Sequence, residues 1–372
     1  MRIPAADLRA QHDALRDDLR AAFDRVVDAS SFIHGPEVEA FECEYAALCE
    51  VPHTVAVSNG TEALAMALRA LEVGAGDLVA VPAFTFVATA EAVCHVGARP
   101  LFVDIDPMTF TIDPEALRRA LRQHTVRAVI PVHLYGQPAA MDDIAAVARD
   151  GGAEVVEDAA QAHGARYRGR RVGGLGRLAC FSFYPSKNLG GLGDGGAVTT
   201  HDAELAARLR LLRDHGQTAK YTHGLIGYNA RLDGLQAAFL RVKLPHLDGW
   251  NARRQALAAA YRRGLAGLPG IGLSEPAADR EHVHHLFVIR CARRDALQAH
   301  LHANGIASGV HYPLPLHLQP AFAPLHHQAG DFPVAEAAAR EVLALPLYPE
   351  LTDDAVARVC GAIRAWTQES VA

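Results

Sequence analysis

Three side chains in the stretch 157–200 are of types that do chemistry together. Asp158 and Gln161 stand in E-D-A-A-Q-A-H-G-A, and Lys187 stands in F-S-F-Y-P-S-K-N-L-G-G-L-G-D-G-G. The apolar run 153–156 stops abruptly at Glu157-Asp158, which places Asp158 at the mouth of a strand. Lys187 follows a second short strand at 179–183 and is hemmed in by aromatic and glycine residues. Such surroundings desolvate an amine, lower its pKa and make it a Schiff-base former. Pyridoxal phosphate chemistry needs one lysine to hold the aldehyde and one carboxylate to keep the pyridine nitrogen protonated, so that the ring withdraws electrons. Lys187 and Asp158 fit those two roles.

The elements that must position these residues alternate strand and helix. Apolar spacing predicts an N-terminal helix over 5–28 and a second one entered at Pro36. A short strand at 55–57 then runs through S-N-G-T-E-A-L into a helix to about 71. Strand, glycine turn and helix leave free N–H groups facing an anion, with the Thr61 hydroxyl beside them. The same four residues also make an ordinary helix cap. Strands at 78–81, 100–103, 127–132 and 153–158 alternate with helices at 85–96, 114–122 and 141–149. This alternation predicts an α/β fold, a mostly parallel sheet with helices on both faces. Ligands in such sheets sit outside the carboxyl ends of the strands, where Thr61, Phe86, His133, Asp158 and Ser182 all fall. Gly191, Gly193 and Gly196 match G-x-G-x-x-G, but A-V-T-T after them reads as a strand, and a dinucleotide site needs a helix there. Those glycines are expected to let the chain turn beside the lysine. Beyond a helix at 201–213, a long helical region runs to about 265, and Leu268-Pro269-Gly270 marks a boundary. The expected division is a large domain over 1–266 and a small α+β domain over 267–372. The small domain would hold a strand at 284–289, a helix capped by Asp295 and a helix at 335–343.

Bulk properties narrow the function. The 36 basic and 42 acidic side chains leave a net charge of −6, which speaks against a general nucleic-acid or anionic-membrane binder. The six cysteines show no C-x-x-C and read as reduced thiols, not as a disulfide frame or zinc site. Arg2, Asp7 and Arg9 leave no room for a signal-peptide core, and no apolar run reaches the roughly 18 residues of a membrane span. A cytoplasmic location is expected. His284-His285 and His326-His327 lack a carboxylate or cysteine at ligand spacing, so no metal is expected.

The motifs S-N-G-T-E-A-L, P-A-F-T-F-V-A-T-A-E-A-V, E-D-A-A-Q-A-H-G-A, F-S-F-Y-P-S-K-N-L, G-D-G-G-A-V and G-Y-N-A-R-L-D follow one another in order. From about residue 30 onward the chain thereby resembles the DegT/StrS family of sugar aminotransferases, fold type I pyridoxal phosphate enzymes. The resemblance implies that Lys187 holds the cofactor as a Schiff base and shuttles protons, while Asp158 pairs with the pyridine nitrogen. It implies that Phe86 stacks on the ring, that Gln161 touches its 3-hydroxyl and that His163 supports Asp158. Gly60, Thr61 and Ser182 would bind the phosphate, and Asn229 would reach it from the other subunit of a homodimer with shared active sites. Relatives that act as dehydratases carry histidine at the lysine position, or an iron–sulfur cluster; Lys187 and the scattered cysteines favour transamination. A regulatory relative without turnover would be marked by loss of that lysine. Two blocks, L-D-G-L-Q-A-A-F-L-R-V-K-L-P-H-L-D-G-W-N and G-V-H-Y-P-L-P-L-H-L-Q-P, resemble enzymes that aminate C3 of nucleotide-linked 3-keto-6-deoxy sugars. The 4-ketosugar and scyllo-inosose aminotransferases are the neighbouring alternatives. The implied reaction takes the amino group of L-glutamate, holds it as pyridoxamine phosphate and passes it to a keto-deoxysugar on a nucleoside diphosphate such as dTDP. A diphosphate calls for polar and basic groups, for which Lys220, Tyr221, His223, Arg231, His311, Tyr312 and His317 are the candidates.

Overall fold

The apolar runs pair into one seven-stranded sheet, seen in a computed structural model that describes residues 2–274 and 276–369. In chain order its strands are β1 (His53–Val57), β2 (Leu78–Pro82), β3 (Arg99–Val103), β4 (Ala128–Val129), β5 (Glu154–Asp158), β6 (Leu178–Ser182) and β7 (Gly196–Thr200). Their spatial order is β1-β7-β6-β5-β4-β2-β3. From β6 to β3 every pairing is parallel, and β7 alone runs against both of its neighbours. Residues such as Val55, Val79, Val81 and Val156 are fully sealed, as expected of strands covered on both faces.

The covering helices are α1 (Leu8–Ala14), α2 (Arg16–Ala29), α3 (Pro36–Leu48), α4 (Gly60–Ala70), α5 (Ala88–His95), α6 (Pro114–Gln123), α7 (Met141–Asp150), α8 (Ala203–Arg213), α9 (Gly234–Lys243) and α10 (Leu247–Leu265). The single helix expected over 5–28 is broken at Leu15, whose side chain turns into a small core with Leu19, Val26, Ala238 and Phe239. The strand expected over 127–132 shortens to two residues, because Pro131 has no N–H to continue the ladder. Its carbonyl still accepts from Asp158 N–H at 2.9 Å, so the chain stays beside β5. Pro245 likewise breaks the expected long helix into α9 and α10.

Beyond α10 a three-stranded antiparallel sheet joins Gly272–Leu273, Phe287–Arg290 and Val342–Leu345. The helices there are α11 (Arg294–Ala303), α12 (Pro333–Glu341) and α13 (Asp353–Glu369). A second core gathers Phe287, Ile289, Leu343, Val359, Ile363 and Trp366 with Leu257 and Tyr261 of α10. Asp295 does not cap α11. It sits in the first turn, paired with Arg294, where its charge suits the positive end of the helix dipole. The strands Gly272–Leu273 and Val342–Leu345 and α13 add three elements to those expected of this small α+β lobe. Asp104, just beyond β3, ties the large sheet to α12: its carboxylate accepts from the N–H groups of Val334 and Ala335 at 3.1 and 2.9 Å and so caps that helix.

All six cysteines are free thiols. Among the described residues no helix is long and apolar enough to cross a membrane.

Candidate active site

Strand alternation explains F-S-F. Phe181 and Phe183 point to one face of β6, where they meet Phe41 and Tyr45 of α3 edge-on at 5.1–5.3 Å. Each such pair adds about 0.5–1.5 kcal/mol beyond its buried area. Ser182 therefore points the other way, toward the start of α4. Asn59 caps that helix by accepting from Glu62 N–H at 2.9 Å, which leaves the first turn's earlier N–H groups available. A Cβ on Gly60 would lie 2.6 Å from Ser182 Cβ, so only glycine lets the helix end and the serine share one cradle. Gly60, Thr61 and Ser182 are thus brought together as expected.

Asp158 ends β5 and is 6% exposed. Its Oδ2 accepts from the Thr89 hydroxyl at 2.8 Å and its Oδ1 from Ala160 N–H at 3.2 Å. Burial raises its pKa, against the lowering effects of Thr89, Ala160 and the Lys187 charge. Lys187 keeps some exposure to the pocket, yet the protein crowds it enough that desolvation lowers its pKa to about 8, with Asp158 opposing the shift. The two groups feel each other's charge.

His163 has no exposure, and neither ring nitrogen has a hydrogen-bond partner. Burial and then the Lys187 charge push its pKa down to about 3, with the Ser182 backbone opposing them. The group that supports Asp158 is Thr89, not His163. Thr89 lies one helical turn beyond Thr85 at the entry to α5, their hydroxyls 3.2 Å apart, but no local pattern ties it to Asp158, 69 positions away in the chain.

Gln161 is spoken for at both ends. Its Oε1 accepts from Tyr135 N–H at 2.6 Å, and its Nε2 donates to the Tyr312 hydroxyl at 3.3 Å, leaving one N–H free. Tyr312 also packs on Phe86, ring centroids 5.7 Å apart, so this part of the pocket wall is built from both ends of the chain. Phe86 is 52% exposed, leaving part of its ring uncovered by the protein. His311, beside Tyr312, feels the Lys187 charge, and its buried Nδ1 has no partner.

His133 lies sealed beneath the pocket. Its Nδ1 accepts from Ala139 N–H at 3.0 Å, so its Nε2 carries the proton and donates to Glu157 at 3.0 Å. Glu157 also accepts from the N–H groups of Gly173, Leu175 and Gly176, tying the crossover to the strand end. The glycines before β7 serve close approach: a Cβ on Gly196 would lie 2.4 Å from the Asn59 backbone, and none of Gly191, Gly193 or Gly196 has positive φ.

The substrate candidates divide. His317 is 2% exposed and paired with Glu336 at 3.2 Å, packed on Phe332, so it cannot face a ligand; the prolyl loop turns it inward. Arg231 is engaged by Asp214. Lys220, Tyr221 and His223 stand on an exposed hairpin (Gln217–Ala219 with Thr222–His223), and Asn229 is exposed nearby in the chain.

The chain matches the DegT/DnrJ/EryC1/StrS aminotransferase family over residues 13–364. It is 51% identical to dTDP-3-amino-3,4,6-trideoxy-alpha-D-glucose transaminase of Streptomyces venezuelae, over 99% of this chain and 97% of that one. It is 48% identical to a UDP-N-acetyl-3-dehydro-alpha-D-glucosamine 3-aminotransferase of Acidithiobacillus ferrooxidans, over 97% of each chain. The crystal structure of S. venezuelae DesV in complex with a ketimine intermediate superimposes with a TM-score of 0.96 over 99% of both chains, at 51% identity.

Proposed function

Because this chain belongs to the DegT/DnrJ/EryC1/StrS aminotransferase family, we propose that it moves an amino group from L-glutamate to C3 of a 3-keto-deoxyhexose carried on a nucleoside diphosphate. The observation that carries the reading is the lysine pocket: an amine lowered to about 8 by desolvation, opposed by a buried carboxylate. The 3-amino product in one of those enzyme names and the 3-dehydro substrate in the other support C3 over C4.

The pocket fits pyridoxal phosphate. An unpartnered buried imidazole at His163, a serine–glycine cradle at a helix N-terminus and an exposed aromatic face at Phe86 are each left unsatisfied by the protein itself. Gly60, Thr61 and Ser182 would hold the phosphate, Phe86 and Gln161 the ring, and Asp158 the pyridine nitrogen. When bound, the cofactor supplies an electrophilic aldehyde and an electron-withdrawing ring.

The remaining work falls to the chain's own groups. Lys187, near half-protonation at mildly alkaline pH, can both give and take a proton at the substrate carbon, the condition under which acid–base catalysis is most effective. Thr89 and Ala160 favour the ionised form of Asp158 and aim it. Tyr312 and Gln161 brace each other across the pocket, beside His311, whose buried Nδ1 has no partner.

A second copy of the chain completes the site in this reading. Tyr221 and Ile226 are 83% and 89% exposed, and Phe32 and Ile33 are exposed as well, an apolar surface that suits a homodimer. The hairpin's Lys220 and His223, with Asn229, would then serve the partner's pocket and meet phosphate groups there. Exposed free thiols at Cys43 and Cys94 suit the reducing cytoplasm.

The test is direct. Glutamate added to the protein loaded with pyridoxal phosphate should convert the cofactor to its pyridoxamine form. A 3-keto sugar nucleotide should restore the original spectrum and yield a 3-amino product by NMR. Restoration by a 4-keto sugar nucleotide alone would refute the C3 assignment.

A further inference from the structure

The segment 183–192 carries Lys187 and closes on itself. Lys187 N–H donates to the Tyr184 carbonyl at 2.9 Å and Gly191 N–H to that of Phe183 at 2.8 Å. At Gly190 the chain passes so near Pro185 that a Cβ would lie 2.3 Å from its carbonyl oxygen. Neutral amides pin the segment from outside: Gln236 Oε1 accepts from Leu192 N–H at 2.8 Å, and Asn188 donates to Asn251 and to the Val283 carbonyl at 2.9 and 3.0 Å.

One further pin is of a different kind. Lys243, the last residue of α9, has no exposure, and its Nζ donates to the Gly190 carbonyl at 2.7 Å. The same nitrogen lies 3.0 Å from His12 Nε2 of α1, which accepts from it. Lysine is almost never sealed from water unless it is paired. Here, among the described residues, its bonded partners are a carbonyl and an imidazole, with Glu350 acting only at longer range. Burial lowers both Lys243, to about 8, and His12, so each carries a depressed affinity for protons. An apolar side chain would fill the same space without that cost; what the amine adds is a donor for one carbonyl of the lysine loop.

We propose that Lys243 is a positioning residue for the transfer reaction: by holding the Gly190 carbonyl, with His12 fixing it from behind, it sets the loop from which Lys187 reaches the reacting carbon. This rests on the transaminase reading for its catalytic consequence, but the loop restraint itself is independent of which sugar is used. The reacting amine tolerates little misplacement, since about 1 Å costs on the order of 10²-fold in rate.

Lys243→Met, of similar length, should be prepared as the full-length, cofactor-loaded protein. We expect kcat to fall by roughly 10- to 100-fold while KM for glutamate and for the sugar nucleotide stays within about twofold. Deuterium uptake at the amides of 184–192 should speed up about tenfold, with the rest of the chain unchanged. Lys243→Arg, which keeps the donor, should recover part of both effects, and His12→Leu should produce the same pattern more weakly. Unchanged exchange in 184–192 would overturn the proposal, as would faster exchange spread over the whole chain with a lowered Tm. Failure of both Lys243 variants to fold would reduce the residue to a structural strut and also overturn it. If the unmodified protein shows no amino transfer, the function reading fails, while the exchange measurement still decides the restraint.

Discussion

Lysine, tyrosine and histidine occur together twice, in opposite solvents. In the pocket, Lys187, Tyr312 and His163 are crowded by protein; burial brings the lysine to about 8 and the imidazole to about 3, and raises the phenol. On the hairpin, Lys220, Tyr221 and His223 stand in water, with the Lys220 ammonium 5.4 Å from the Tyr221 ring centre. The same residue types therefore serve two tasks. In the proposed reading, desolvation suits the first set to proton transfer, whereas hydration leaves the second free to meet an anion.

The contrast can be broken or sharpened by substitution. Lys187→Ala should have the largest effect, with turnover down by roughly 10²- to 10⁴-fold or more, because it removes the group that gives and takes the proton. Steady-state assay with both substrates checks it, and near-normal turnover would end the pocket's claim to the chemistry.

Asp158→Asn should keep the cofactor bound, by absorbance, but lose about 10²- to 10³-fold in kcat, the usual loss when one preorganised charge is removed. Thr89→Val tests the same carboxylate by pH. Burial already raises the Asp158 pKa and the Thr89 hydroxyl opposes that rise, so removing the hydroxyl raises it further. Activity that needs ionised Asp158 should then fail at a higher pH on the acid side of the kcat profile; an unmoved acid limb would show that Thr89 does not tune it.

Lys220→Ala should act on binding alone. An exposed charge is worth about 0–1 kcal/mol, so KM for the sugar nucleotide should rise by about fivefold at most, with kcat nearly unchanged. The unmodified enzyme should lose that same increment as salt is raised.

His317→Ala should have the smallest effect on catalysis. The side chain is sealed against Glu336 and Phe332, so KM should not change. Losing its bond to the Glu336 carboxylate, which the Gly330 and Phe332 N–H groups still satisfy, should instead cost about 1.5–3 kcal/mol of stability, read by denaturant unfolding.

Much of the site is legible in the amino-acid sequence because its chemistry sits at strand ends. An apolar run that stops at a carboxylate, as at Asp158, or a lysine that follows F-S-F, announces itself locally. Thr89 and Tyr135 escape a reading of the sequence because each acts on a residue far away in the chain, across 69 and 26 positions respectively. His317 is misplaced by such a reading because a proline-rich loop has no periodicity to say which way a side chain turns.

By itself the chain's order of residues determined the alternation of strands and helices, the glycine turn before α4 and the candidate amine and carboxylate, since all of these follow from neighbours a few positions apart. Only the tertiary structure decided which histidines are sealed, which ion pairs consume an arginine, and that Lys243 caps the loop of Lys187. Those outcomes depend on burial and on partners distant in the chain, and the cost of desolvating a charge is settled only when the chain has closed around it.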